Sequence, residues 1–137
     1  KGGGSVQDVM EAAVASIAGQ PIRVHGAGRT DAGVHAVGQC CHLDVPDTRM
    51  TSSNWLLALN SKLPPTLRVL RAAKVAPDFH ARFSATGKIY QYLIYQGSVL
   101  PPQEYQRAWL VRGALDVAKM TECARAFLGT HDFRGFS

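Results

Sequence analysis

Three glycines within eight residues interrupt any regular helix or strand near position 30 and so fix where the chain must turn. The stretch GAGRTDAG contains Gly26, Gly28 and Gly33, which together permit a tight loop. Asp31 lies in this loop, two residues after Arg29. Loops between regular elements often present functional side chains. Two interpretations of Asp31 follow: its carboxylate accepts backbone hydrogen bonds in a turn, or it does chemistry.

Apolar residues on both sides of this loop recur with helical and with period-two spacing. Helical spacing predicts helices at residues 5–19, 52–59 and 116–129, the last with an inward-facing stripe of Val117, Met120, Ala124 and Phe127. Alternating or β-branched runs predict strands at residues 22–26, 34–45, 67–76, 87–97 and 107–111. A loose lead-in and a loop are predicted at residues 1–4 and 46–50. Because hairpin-like strands dominate and strict βαβ alternation is missing, we predict an α+β fold, a mainly antiparallel sheet with helices packed on one face.

Length and composition narrow the class of protein. The chain has 137 residues, enough for one domain with a hydrophobic core. It has no run of about 20 apolar residues, and its start, KGGGSVQDVM, lacks the apolar stretch of a secretory signal. Three cysteines, two of them adjacent, make a poor disulfide framework, so we expect a cytoplasmic protein with no membrane span. Fifteen Lys+Arg against ten Asp+Glu give a net charge of +5, which favours a polyanionic partner.

The glycine-rich loop does not match the motifs that cradle nucleotide phosphates. It lacks the G-x-x-x-x-G-K-[ST] pattern, and GAGRTDAG departs from G-x-G-x-x-G because Asp31 occupies the third glycine position. A zinc site is not predicted either. Cys40 and Cys41 are neighbours on a predicted strand and point to opposite faces. Metal-ligand spacing is also missing among His25, His35 and His42.

A second candidate region is RFSATGKIYQYLIY, residues 82–95. Tyr90 and Tyr92 share one face of the predicted strand, and Lys88 lies two residues before Tyr90. Two interpretations stay open. This face packs under a helix, or an aromatic side chain beside basic residues stacks on an unpaired base. The spacing alone does not decide between them.

Four blocks of the sequence resemble the tRNA pseudouridine synthase A family. AGRTDAGVHA resembles the family's signature loop G-R-T-D-x-G-V-H-A, and SVQDVMEAAV resembles its opening helix. DFHARFSATGKIYQYLIY resembles the pattern D-F-x-A-R-x-x-A-x-x-x-x-Y-x-Y, and FLGTHDFRGFS resembles the motif G-x-H-D-F-x-x-F. The blocks occur in the family's order and cover nearly all of residues 5–137.

The resemblance implies an enzyme that isomerises uridine to pseudouridine in the anticodon stem-loop of tRNA, at tRNA positions 38–40. The RNA would bind in a cleft on the side of the sheet away from the helices. Asp31 is implied to be the catalytic residue, Arg29 to take part in flipping and holding the RNA, and Tyr90 to stack on the target base. The resemblance further implies a homodimer with tRNA lying across both subunits, and no metal or organic cofactor.

The chemistry of the reaction agrees with these roles. The isomerisation breaks a carbon–nitrogen bond, rotates the uracil and rejoins it through carbon, without redox change or water. A carboxylate can hold one fragment covalently or remove a proton, and a nearby cation keeps it ionised. Extruding the base costs on the order of a few kcal/mol, which stacking of roughly 1–3 kcal/mol per base offsets. Candidate RNA contacts are Arg23, Arg82, Lys88 and His35.

The sequence departs from the family pattern at both ends. The family's first strand, a Y-x-G-x-x-(F/Y)-x-G pattern, has no counterpart before residue 5, and the family's second half has none after the H-D-F block. We therefore expect residues 1–137 to form a single catalytic-type domain, part of the enzyme, with little activity by itself. Two alternatives stay open. The chain is a catalytically inactive basic RNA-binding domain in which Asp31 only shapes a turn, or a half-domain that completes its sheet with another chain.

Overall fold

The computed structural model describes residues 4–46 and 49–136, the last without its side chain. The chain divides into two compact units, Lys1–Ile89 and Tyr90–Ser137. The predicted lead-in at residues 1–4 and the predicted loop at 46–50 fall partly outside the described residues.

The first helix, α1, spans Val6–Ala18 and confirms the prediction for this segment. It begins at a capping box. The Oγ of Ser5 accepts a hydrogen bond from the backbone N–H of Asp8 (3.2 Å), and the Asp8 carboxylate accepts one from the Ser5 N–H (2.7 Å). The helix ends at Gly19, whose φ of 74° is left-handed and whose N–H bonds to the Ala15 carbonyl.

A short antiparallel hairpin follows the helix. Strand β1, His25–Gly26, pairs with β2, Cys41–His42, and the N–H of Ala27 donates to the Cys40 carbonyl at 2.8 Å. The predicted strands at 22–26 and 34–45 therefore form only where they face each other. Residues 31–40 are all exposed, so the period-two pattern after Val34 covers no core in the part of the chain that the structure describes.

The second helix, α2, spans Ser52–Lys62 and extends three residues beyond the predicted end. Thr51 caps its N-terminus by accepting a hydrogen bond from the Asn54 N–H at 3.2 Å. The Asn60 side chain binds both backbone groups of Val69, with contacts of 2.8 Å and 3.0 Å. The backbone groups of Val69 therefore bind a side chain and not a neighbouring strand. Residues 67–76 form no β ladder, so the predicted strand there is wrong.

The hydrophobic core of the first unit lies between α1, α2 and the segment leading into β1. Val14 is fully buried at its centre, and Val24 is 4% exposed. The remaining buried members of this cluster are Met10, Ala13, Trp55, Leu59 and Leu63. These positions follow the helical spacing of apolar residues in the sequence. The core therefore fixes the two helices beneath the base of the hairpin.

The second unit contains one parallel strand pair and one α-helix. Strand β3, Ile94–Gln96, pairs in parallel with β4, Trp109–Val111. The helix α3, Val117–Arg125, begins at Asp116, whose side chain accepts a hydrogen bond from the Lys119 N–H at 2.9 Å. Short 3-10 turns occur at Pro102–Glu104 and Arg134–Phe136.

The inward-facing stripe predicted for the last helix is wrong. Val117, Met120 and Phe127 are 66%, 43% and 51% exposed, and Ala124 is exposed as well. No described side chain after Ala81 is buried. Val117, Met120 and Ala124 lie on α3, but the helix ends at Arg125, before Phe127 and the predicted end at 129. The described part of the second unit offers no layer for the stripe to pack against.

The described residues confirm the α+β class, with three α-helices and two two-stranded sheets. One sheet is antiparallel and the other is parallel. A single, mainly antiparallel sheet with helices on one face and an RNA-binding cleft on the other stays a prediction. Within the described residues, no helix has the length and apolar character to cross a bilayer.

Candidate functional site

The glycine-rich loop connects β1 to β2 and is held at its base and at its tip. At the base, the side-chain amide of Gln39 donates to the carbonyl of Gly28 across the loop. At the tip, the carbonyl of Asp31 accepts a hydrogen bond from the Val34 N–H at 3.1 Å. Gly33 has a φ of 84° in this turn, and open space surrounds its α-carbon, so glycine is needed for the backbone conformation and not for lack of room.

The carboxylate of Asp31 takes no part in this turn. The turn uses only the backbone carbonyl of the residue. Among the described residues, no group donates a hydrogen bond to the Asp31 side chain and no cation lies within 4.0 Å of it, although Arg29 is two residues away. The side chain is exposed. The loop therefore presents an exposed acidic group whose hydrogen-bonding capacity is unused among the described residues.

Lys88 reaches this loop from a distant part of the sequence. A β-carbon built on Gly28 would lie 2.8 Å from the Nζ of Lys88 and 3.5 Å from its Cε. The ammonium group therefore sits directly against the backbone of Gly28, three residues before Asp31. Only a glycine permits so close an approach of this side chain to the loop.

The other predicted RNA contacts are Arg23, His35 and Arg82. Arg23 precedes β1, and its Nε lies 3.4 Å from Oε1 of Glu11, with the Arg23 side chain 70% exposed. The pKa of Glu11 is below its usual value. The main cause is the hydrogen bond from Gln7, followed by the one from the Val24 N–H and by the charge of Arg23. Two further members of the predicted set, His35 and Arg82, are exposed.

Tyr90 and Tyr92 belong to the second unit. Their side chains are 75% and 89% exposed. Neither ring is packed beneath a helix in the described residues, so this part of the chain offers no core role for the aromatic pair. Both phenol rings present free faces, which is the property that base stacking requires.

Three residues that organise this region were missed by the sequence reasoning. Gln39, within the predicted strand at 34–45, donates a hydrogen bond across the loop to Gly28. His42 and His80 both accept backbone hydrogen bonds through Nδ1. Nothing in the spacing of His42 and His80 indicates that they meet.

Comparison with known proteins identifies the family. The family model described as "tRNA pseudouridine synthase" matches residues 1–84, which include α1, the hairpin loop with Asp31 and α2. The chain belongs to the tRNA pseudouridine synthase family. The matched region contains Asp31 and Arg29, and it ends shortly before Lys88. The resemblance seen in the four sequence blocks is thereby confirmed.

Curated relatives in this pseudouridine synthase family match almost the whole chain. A protein named tRNA pseudouridine synthase A from Akkermansia muciniphila is 48% identical over 137 residues, covering 99% of this chain and 52% of its own length. A protein of the same name from Solidesulfovibrio magneticus is 50% identical, covering 98% of this chain and 50% of its own length. A third, from Nitratidesulfovibrio vulgaris, is 44% identical. The chain therefore spans about half the length of the curated relatives it matches.

Proposed function

We propose that this chain contributes the catalytic loop of a tRNA pseudouridine synthase, which isomerises uridine to pseudouridine at positions 38–40 of the anticodon stem-loop. The observation that supports this most directly is the Asp31 carboxylate, exposed on a hairpin loop and without a partner among the described residues. Family membership and the names of the curated relatives support the reaction class. The net charge of +5 favours RNA as the partner.

Asp31 is the proposed catalytic residue. Pseudouridine formation needs a group that attacks one carbon centre or removes a proton while the uracil is detached from the sugar, and a carboxylate serves either purpose. The glycines beside Asp31 leave space for a nucleotide to approach. Because the backbone alone closes the turn, the carboxylate can meet the substrate without first breaking internal hydrogen bonds.

Arg29 and Tyr90 are the proposed partners of Asp31 in handling the extruded base. Arg29 is exposed on the same loop, where its guanidinium can fill space vacated in the RNA and bind phosphate. Tyr90 has an exposed ring that can stack on the uracil, an interaction of roughly 1–3 kcal/mol. Together these contacts offset the cost of taking the base out of its helix.

Backbone contacts to the RNA are proposed for Lys88, Arg82, Arg23 and His35. Lys88 has the strongest support because its ammonium lies against Gly28 in the catalytic loop. A cation there can hold a phosphate next to the flipped nucleotide. We further propose that the whole enzyme works as a cytoplasmic homodimer. It needs no metal or organic cofactor, because the reaction is redox-neutral and consumes no water.

Replacement of Asp31 tests the proposal. In the full-length enzyme, Asp31→Asn should lower the rate of tritium release from tRNA labelled at uridine C5 by at least about a thousandfold, because the amide can neither attack nor accept the proton. Binding of tRNA should be retained. Asp44→Asn, an exposed acidic residue after β2, is the matched control and should leave the rate unchanged.

The alternative function, a catalytically inactive basic RNA-binding domain, predicts a different result. In that case the unmodified full-length protein would bind tRNA and release no tritium, and Asp31→Asn would change only stability. An unreduced rate in Asp31→Asn, with the variant folded, would remove Asp31 from the mechanism.

A further inference from the structure

Three histidines meet at the base of the hairpin that carries Asp31. His25 on β1 and His42 on β2 are paired across the strands, and their rings stack with centroids 4.9 Å apart and planes 19° apart. The ring of His80 lies 4.5 Å from that of His42 and 5.9 Å from that of His25. These three residues are called the histidine cluster below. They come from two parts of the sequence and join the hairpin to the turn at residues 79–84.

Two of these rings accept backbone hydrogen bonds through Nδ1. The Nδ1 of His42 accepts a hydrogen bond from the Ala81 N–H at 3.1 Å. The Nδ1 of His80 accepts from the N–H groups of Arg82 at 3.2 Å and Phe83 at 3.4 Å. A ring nitrogen accepts only when it carries no proton, so these bonds require an unprotonated Nδ1 on His42 and on His80.

The hydrogen bond from the Ala81 N–H to His42 crosses between the hairpin and the turn. Ala81 is 3% exposed, so its N–H has little access to water and depends on this acceptor. The turn itself is closed by a bond from the Ser84 N–H to the His80 carbonyl at 2.7 Å. The chain then runs from this turn to Lys88, whose ammonium lies against Gly28. His42 therefore joins the base of the Asp31 loop to the segment that delivers Lys88.

We infer that His42 is a positioning residue: its neutral ring holds the 79–84 turn on the hairpin so that Lys88 stays against the Asp31 loop, and protonation of the ring releases this hold. The consequence for RNA chemistry depends on the proposed function, whereas the hydrogen bond and its response to pH do not.

The surroundings of the cluster favour release at acidic pH. The groups that face the His42 ring are His25 on β1 and His80 on the turn, with Arg82 next to His80. Arg23 and Asp44 share a shallow depression with His25. No carboxylate lies within ion-pair distance of the three rings in the described ranges, so nothing there compensates a positive charge on them. Two protonated imidazoles at this separation repel each other.

His80 gives the sign of the pH effect. Partial burial, and then the neighbouring His42 and His25 rings, lower the pKa of His80 from its usual 6.5. Between the lowered folded value and the unfolded value, the unfolded chain binds more protons, so stability rises with pH in that window. The stabilisation is present above about pH 6.5 and is lost as the pH falls through the folded pKa.

Two substitutions of His42 separate its acceptor from its ring. In H42N, the amide oxygen can take the place of Nδ1 as an acceptor that does not titrate. In H42F, the ring stack with His25 is kept and the acceptor is lost. Hydrogen exchange of the Ala81 amide in the whole chain, expressed relative to the unstructured rate at each pH, reports the bond directly. His131→Asn, which removes a histidine of the other unit, is the matched control.

We expect Ala81 protection in the unsubstituted chain to fall about tenfold as the pH drops from 7.5 to 5. H42N should keep its protection across this range, H42F should lack it at every pH, and the His131 control should behave as the unsubstituted chain. In the unsubstituted chain, a scalar coupling between the Ala81 amide nitrogen and the His42 Nδ1 should appear at pH 7.5. This last measurement needs no variant and stands if H42F fails to fold.

Two outcomes overturn the inference: no coupling together with equal protection in H42F and the unsubstituted chain, or the same acid loss of protection in H42N. Neither outcome touches the isomerase assignment, which depends on Asp31. Conversely, an unreduced rate in the Asp31→Asn enzyme would remove Asp31 from the mechanism while the His42 measurements stand. In the full-length enzyme, H42N should remove the histidine-dependent acid limb of the rate, a change that a purely structural role would not produce.

Discussion

At the scale of single residues, the approach of Lys88 to Gly28 links the Asp31 loop to a distant part of the first unit. The contact involves the far end of a flexible side chain, so a methyl group at position 28 would displace the lysine without breaking the fold. Gly28 is therefore a place where the position of a cation can be changed while the Asp31 side chain keeps its own surroundings.

We expect Gly28→Ala to change unfolding free energy by less than about 1 kcal/mol and to weaken binding of an anticodon-arm RNA to the full-length enzyme. If Lys88 loses its phosphate contact, the slope of log affinity against log salt should become shallower by about 1. Gly38→Ala, in the same loop with open space around its α-carbon, is the control. Equal salt slopes for both variants and the parent, measured by fluorescence anisotropy, would show that Lys88 does not bind phosphate from this position.

At the scale of elements, α1 depends on its capping box. Two hydrogen bonds from Ser5 lower the pKa of Asp8 from its usual value of 3.8. A carboxylate with a lowered folded pKa contributes stability above its unfolded pKa, and this contribution is lost as the pH falls through the folded value. The start of the helix thus senses acid below about pH 4, separately from the histidine cluster.

We expect Ser5→Ala to lower the free energy of unfolding by about 1 kcal/mol at pH 7. The difference between variant and parent should shrink below about pH 4, because protonated Asp8 no longer accepts the Ser5 bonds. Ser53→Ala, an exposed serine inside α2, is the control and should change the free energy of unfolding by only a few tenths of a kcal/mol. A denaturant series at pH 7 and pH 3 measures both; a constant difference would mean that Asp8 contributes nothing through Ser5.

The helices could be predicted from the sequence because their caps and stripes are local. The helices α1 and α3 begin directly after Ser5 and Asp116, the first residues of the predicted ranges 5–19 and 116–129. The strands could not, because a β ladder needs a partner. The 87–97 segment forms a strand only at Ile94–Gln96, where β4 lies beside it. At the site, the Asp31 loop was evident from its residues, whereas the meeting of His42 with His80 depends on tertiary packing that no spacing reveals.

At the scale of the whole molecule, the two units differ in how they are stabilised. The first unit has a buried core between its helices, and the second has no buried side chain among its described residues. Large apolar side chains such as Trp109 and Leu128 are 69% and 73% exposed. The curated relatives are about twice as long as this chain.

We therefore expect the 137-residue chain by itself to release little or no tritium from uridine-labelled tRNA. The full-length enzyme should turn over in the same assay, because its additional length can cover the second unit and complete the surroundings of Asp31. Binding of a hydrophobic dye should be strong for the short chain and weak for the longer one. Equal turnover by both proteins would contradict this expectation.

The two arms of the Asp31 loop differ in their contacts, and this difference has a practical use. Gln39 and Lys88 both hold its first arm at Gly28, while Val37 on the second arm is 91% exposed. A fluorophore attached at position 37 would stand on the Asp31 loop without disturbing the anchored side. Arrival of an RNA could then be watched optically, before any bond in the nucleotide is broken.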